Sequence, residues 1–89
     1  MKIILDSGQL LEPEAAHAYL AEKLMLPDYY GGNLDALYDC LTEIGEDTQL
    51  ILKMAENHRD NINLKKILMV MMDAETENPY LCVKIKPEV

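Results

Sequence analysis

Basic side chains are scarce in this sequence, and one long stretch has none. Eight Lys or Arg stand against sixteen Asp or Glu in 89 residues, a net charge of −8. Between Lys23 and Lys53 there is no Lys or Arg at all. Nucleic acids and anionic membranes are bound by positive faces, so this balance argues against both and favours a cationic partner. Cysteine is also sparse. Cys40 and Cys82 are too few for a disulfide framework, and their apolar surroundings read as buried free thiols. No apolar run approaches a membrane span, and MKIILDSGQLL at the N-terminus is not apolar for long enough to be a secretory signal. An Asn-x-Ser/Thr acceptor is missing too. These absences together predict a cytoplasmic protein.

What is present is enough for one small core. About half the chain is apolar (49%), and a unit of this length buries roughly 60–65% of its unfolded surface. With no linker, repeat or low-complexity tract, residues 1–89 read as a single domain. KIILD (Lys2–Asp6) ends at a Ser-Gly turn and reads as a first buried strand. From Glu12, EPEAAHAYLAEKLML is helix-forming, with Pro13 in the first turn and Ala16, Tyr19, Leu20 and Leu24 at helical spacing. Pro27 bounds it, and DYYGG is loop. Asn33 suits the N-cap of a second helix from Leu34 to about Ile44. TQLILKM (Thr48–Met54) is a strand, AENHRDNIN is polar with one helical turn, LKKILMVMMDAETE is a third helix, and YLCVKIK (Tyr80–Lys86) is a last strand. The order β-α-α-β-α-β, with crossovers of this length, predicts an α/β fold: a three-stranded parallel sheet with helices packed against it. The cluster Met69, Met71 and Met72 reads most simply as core filler, a methionine binding surface being the alternative.

The second helix carries an anomaly. On a helical wheel Leu34, Leu37, Cys40, Leu41 and Ile44 share one face, which should be buried. Asp35, Asp39, Thr42, Glu43 and Glu46 occupy the other, with Tyr38 at the border. Asp35 favours the helix because it lies near the positive end of the dipole. The remaining pattern does not. Asp35–Asp39 and Asp39–Glu43 are like-charge pairs at i,i+4, each costing roughly 0.2–0.5 kcal/mol, and Glu43 opposes the dipole at the C-terminal end. A face chosen for stability would carry interleaved lysines, and a face chosen for binding need not. Just before it, Tyr29 and Tyr30 adjoin Gly31 and Gly32, placing amphipathic rings beside permissive backbone, as binding surfaces do. Tyr30 is the one expected to cover the core.

LPDYYGGNLDALYDCLT (Leu26–Thr42) resembles the signature of the barstar family, intracellular inhibitors of barnase-type ribonucleases. The run joins Pro27, Tyr29-Tyr30-Gly31, Asn33-Leu34-Asp35-Ala36-Leu37 and Asp39-Cys40-Leu41 without a gap, and length, acidity and element order agree over the whole chain. The resemblance implies that Asp39 enters the nuclease's phosphate pocket, that Tyr29 packs on its catalytic histidine, and that Gly31 lets the backbone come close. It also implies rim contacts from Asn33, Leu34 and Asp35, with Tyr38, Thr42 and Glu46 at the edge and Asp73 as the carboxylate of the last helix. The implied partner is a basic barnase-like ribonuclease bound 1:1, with no cofactor, no catalytic residue, no nucleic acid and no membrane. This chain departs from the family in having no tryptophan, with Tyr38 where Trp is frequent, and an aspartate at 73 where glutamate is usual.

Two other readings use the same face. One keeps the fold and makes the protein an immunity factor for a different nuclease toxin. The other makes Asp35 and Asp39, one turn apart, part of a hard-cation site or an enzyme. That site lacks further ligands in sequence. His17, on a helix among alanines, reads as exposed, and His58 sits in a polar turn; neither has a neighbour suggesting a triad or a zinc site.

Overall fold

A computed structural model describes residues 1–88; Val89, the end of the expected domain, lies outside them. The β-branched and leucine-rich runs form three strands, β1 (Lys2–Asp6), β2 (Thr48–Met54) and β3 (Leu81–Pro87), in the order β1-β2-β3. Both pairings are parallel, with Ile3, Leu50 and Val83 in one register row and Leu5, Leu52 and Ile85 in the next. Helices α1 (Pro13–Lys23), α2 (Leu34–Thr42) and α3 (Ile62–Glu77) fill the crossovers, giving the expected β-α-α-β-α-β order. Short 3-10 turns at Ser7–Gln9 and Glu56–His58 complete the path. β3 starts at Leu81 rather than Tyr80 because the Tyr80 N–H donates to Asn78 Oδ1 at 2.9 Å and belongs to the preceding turn. α3 starts two residues earlier than expected, since Asn61 caps it by accepting the Leu64 N–H at 2.9 Å.

Strand order explains where the core lies. Two right-handed crossovers that each step to the next strand in the same direction lie on the same face of the sheet. The core accordingly gathers Leu5, Leu50, Leu52 and Leu81 with Leu10, Leu20, Leu37, Leu41, Leu64, Ile67 and Met71. The other face of the pleat, with Lys2, Ile4, Asp6, Lys53, Lys84 and Lys86, is exposed. Ile51, at the centre of the middle strand, stays 6% exposed among its register neighbours Ile4 and Lys84. β1 is therefore a one-faced edge strand and not the buried strand its composition suggests. Side chains from the helices close the sheet's edges. Tyr19 Oη accepts the Asp6 N–H at 3.0 Å, and Glu75 Oε2 accepts the Val83 N–H at 2.6 Å.

The methionines also correct expectation: Met71 is fully buried, but Met69 is 65% exposed and Met72 49% exposed. The buried face of α3 is the row Leu64, Ile67, Met71 and Ala74; Met69 points roughly opposite and Met72 lies off its edge. Cys40 and Cys82 are both half-buried free thiols, less enclosed than predicted. Among the described residues no helix is long and apolar enough to cross a membrane.

Candidate functional site

The chain leaves α1 earlier than its hydrophobic spacing suggests. Leu24 caps the helix and Met25 takes a left-handed φ of 50°, uncommon for a side chain with a Cβ, which turns the backbone out. The Tyr30 N–H then donates to Pro27 O at 2.9 Å, closing a turn that presents Asp28 and Tyr29. Gly32, at φ +67°, takes the conformation that glycine permits most cheaply. At Gly31 a Cβ would sit 3.2 Å from Asn33 Nδ2, so a side chain there would press on the next residue but one. That residue is the N-cap: Asn33 Oδ1 accepts the Ala36 N–H at 2.8 Å and starts α2.

The two tyrosines separate as expected. Tyr29 is 84% exposed, and Tyr30 packs against the core. The Tyr30 hydroxyl meets His17 Nδ1, the two rings lying 5.8 Å apart at 51°. Burial lowers the His17 pKa and keeps the imidazole neutral. Burial, followed by charge on Cys40, pushes Tyr30 up to about 12. With the ring neutral and the phenol protonated, the two share one hydrogen bond: the hydroxyl donates to Nδ1 when the ring proton sits on Nε2, and accepts from Nδ1–H in the other tautomer. His17 is therefore not the exposed residue the sequence suggests. It shares the inward face of α1 with Ala16 and Leu20 and anchors the tyrosine loop.

On α2, Leu37 and Leu41 are fully buried and Leu34 and Cys40 are half-buried at the margins, as is Ile44 just past the helix end. Asp35, Asp39 and Glu43 stand exposed on the opposite side, with Tyr38 and Thr42 between. The helix ends at Thr42, whose Oγ1 donates to Asp39 O at 2.9 Å, and Glu43 is its C-cap. Glu46 is exposed but falls in the link to β2, beyond the helix and off the predicted stripe. Among the described residues the ion pairs within 4.0 Å are Arg59–Glu56 at 3.3 Å and Lys65–Asp60 at 3.8 Å. No cation pairs with the α2 carboxylates there. Lys66 of α3 comes nearer than the sequence implies, sharing a cavity wall with Asn33, Leu34, Asp35 and Asn63, yet forms no ion pair with Asp35. The negative field registers on Cys40, whose thiol pKa is raised by burial first and then by Glu43 and Asp39. Asp73 is exposed on α3, two turns along from Lys66.

Sequence reasoning missed what holds this face in place. Asn78, 3% exposed, donates through Nδ2 to Leu41 O and to Ile44 O, both at 2.9 Å. It thereby adds a donor to Leu41 O in the last turn of α2, which also accepts the Ile44 N–H at 3.4 Å, and partners Ile44 O just beyond the helix end. Since Asn63 and Lys66 adjoin the start of α2 and Asn78 grips its end, α2 and α3 run side by side in the same direction. A second tie joins Ser7 Oγ to His58 Nδ1 at 2.8 Å, while Ser7 Oγ accepts the Ala55 N–H at 3.0 Å. The pair links the turn after β1 to the turn after β2, and Ser7, fully buried, presents no accessible nucleophile. Among the described residues no three His, Cys, Asp or Glu side chains converge as metal ligands.

Comparison with known proteins identifies the family. Residues 1–84 match the family model described as Barstar (barnase inhibitor). A curated Bacillus subtilis (strain 168) protein, named "Putative ribonuclease inhibitor YrdF", is 56% identical over 41 residues, 46% of this chain and 45% of that protein. The match thus spans about half the length of that relative. With the family model covering nearly all of its length, the chain belongs to the barstar family.

Proposed function

We propose that this protein inhibits a ribonuclease by occupying the enzyme's active site with the exposed face of α2 and the loop before it, one inhibitor to one enzyme. The observation that carries the reading is the stripe Asp35, Asp39, Glu43, exposed and without a cationic partner among the described residues. Its members repel one another in the free protein. Against the arginines, lysine and histidine of a phosphate-binding site that repulsion is offset, and the carboxylates take the place of the substrate's phosphates. Membership of a barnase-inhibitor family supports the same reading.

The roles follow from placement. Asp39, at mid-helix, enters the phosphate pocket, and Asp35 flanks it. Tyr29, almost fully exposed, lays its ring on the nuclease's catalytic histidine. Gly31 permits close backbone approach. Asn33 has its carbonyl oxygen engaged as a cap, leaving Nδ2 as the rim donor. Leu34 fills the rim beside it, and Tyr38, Thr42, Glu46 and Asp73 line the edge. Inhibition of this kind needs no metal and no catalytic group.

Titration into a guanyl-specific barnase-type ribonuclease, following RNA cleavage, tests the proposal with Asp39→Ala in parallel. Stoichiometric inhibition that the variant loses is the expected result. A folded sample that leaves cleavage untouched would move the partner to another nuclease, and the toxin-immunity reading would take precedence.

A further inference from the structure

α3 carries on its outer side a second surface whose composition works against the isolated protein. Ile62 is 69% exposed, Met69 65% and Met72 49%. With Lys65 and Thr76 they fall at positions 62, 65, 69, 72 and 76, a heptad seam on the side away from the core. The charges flanking this seam are arranged against the helix dipole. Lys65 and Lys66 stand toward the positive N-terminal end, Asp73 and Glu77 toward the negative C-terminal end, and neither an acidic first turn nor a basic last turn offsets them. Among the described residues Lys65 has one ion-pair partner, Asp60 at 3.8 Å, with both side chains well exposed.

An antiparallel copy of the same helix removes both faults at once. Reversing the direction sets Lys65 and Lys66 of one copy against the acidic end of the other, where the dipole also favours cations. The two-fold relation repeats the match, as an isologous contact requires, and places the exposed methionines on the axis. Methionine, flexible and polarisable, packs well against itself there. We infer that the outer face of α3 is a self-association surface on which two copies pair with α3 antiparallel. The inference does not rest on the ribonuclease reading. One helix from each copy covers less than the ~1,200 Å² of a stable specific complex, so the dimer is a weak one that forms at high protein concentration. The net charge of −8 on each copy opposes approach, but at physiological salt that repulsion is screened beyond ~8 Å, leaving the facing charges to decide.

Charge reversal tests this on exposed positions that the core does not use. One variant, Lys65→Glu with Lys66→Glu, has an acidic α3 outer face. The other, Asp73→Lys with Glu77→Lys, has a basic one. Sedimentation velocity over a concentration series should show the unmodified protein passing from monomer to dimer, each variant alone remaining monomeric, and an equal mixture of the two forming a heterodimer tighter than the parent. Met69→Glu should abolish dimerisation of the otherwise unmodified chain. A parent protein that stays monomeric throughout overturns the inference, as does a mixture that fails to associate. If the parent is monomeric and Met69→Glu instead weakens nuclease inhibition, the stripe belongs to the nuclease contact and not to a second copy.

Discussion

Asp39 is disfavoured in the free protein and, on the proposed reading, indispensable in the complex. It takes part in both like-charge pairs of the α2 stripe, so Asp39→Ala relieves both. The free protein should hold its stability or gain up to about 1 kcal/mol, read from the urea midpoint. Binding should fall by about 2 kcal/mol or more, roughly thirtyfold, the threshold for a hot spot; the barnase–barstar interface is itself the measured example at the upper end of that class. A variant that lost stability and affinity together would make Asp39 a structural residue and sink the proposed role. His17 acts at the same scale through pH. Its folded pKa lies below the ordinary 6.5 because the ring is buried, so the unfolded chain takes up a proton that the native ring resists. The stability this residue contributes is full above pH 6.5 and declines as pH falls through that value toward the folded pKa. Denaturant midpoints between pH 8 and 5 should therefore drop less in His17→Gln than in the parent. Equal slopes would mean that other groups set the acid limit.

Elements were legible where local chemistry decides them. Asn33 announced the start of α2 because an N-cap needs only one residue, and Thr48–Met54 read as a strand from composition alone. What could not be read depends on packing between distant segments. Nothing near Ile3 or Ile4 says that both crossovers lie on one face, so the exposure of β1 was invisible. His17 lies where Tyr30, 13 residues away, reaches back to it, a contact that local sequence does not announce. The grip of Asn78 on α2, spanning 37 residues to Leu41, was equally hidden. That grip yields a prediction for the element. Asn78→Ala removes the donor to two carbonyls and the acceptor for the Tyr80 N–H, and each buried group left unpaired costs about 1–3 kcal/mol. A loss of about 3 kcal/mol in urea unfolding is expected, with amide exchange speeding up first at Leu41–Ile44. A loss below about 0.5 kcal/mol, the range of ordinary surface changes, would show that water replaces the clamp.

The whole molecule is polarised by its strand order. Because all three helices share one face of the sheet, the bare face collects Lys2, Lys53, Lys84 and Lys86, half of the eight Lys and Arg residues. The unpaired carboxylates of α2 lie in the helical layer. On the proposed reading, a positively charged nuclease meets a molecule that both attracts it and turns to present α2, so the association rate should exceed the unsteered range and fall with salt. Neutralising Glu43 should slow association at low ionic strength more than neutralising Glu12, which precedes α1 and lies off the α2 stripe. Dissociation should change little if Glu43 stays at the rim. In 1 M salt, where screening acts within ~3 Å, the two variants should associate at the same rate. Stopped-flow mixing across a salt series reads all of this directly. A rate that is flat in salt, or equal for the two neutralised variants at low salt, would mean that the acidic face holds its partner without having guided it there.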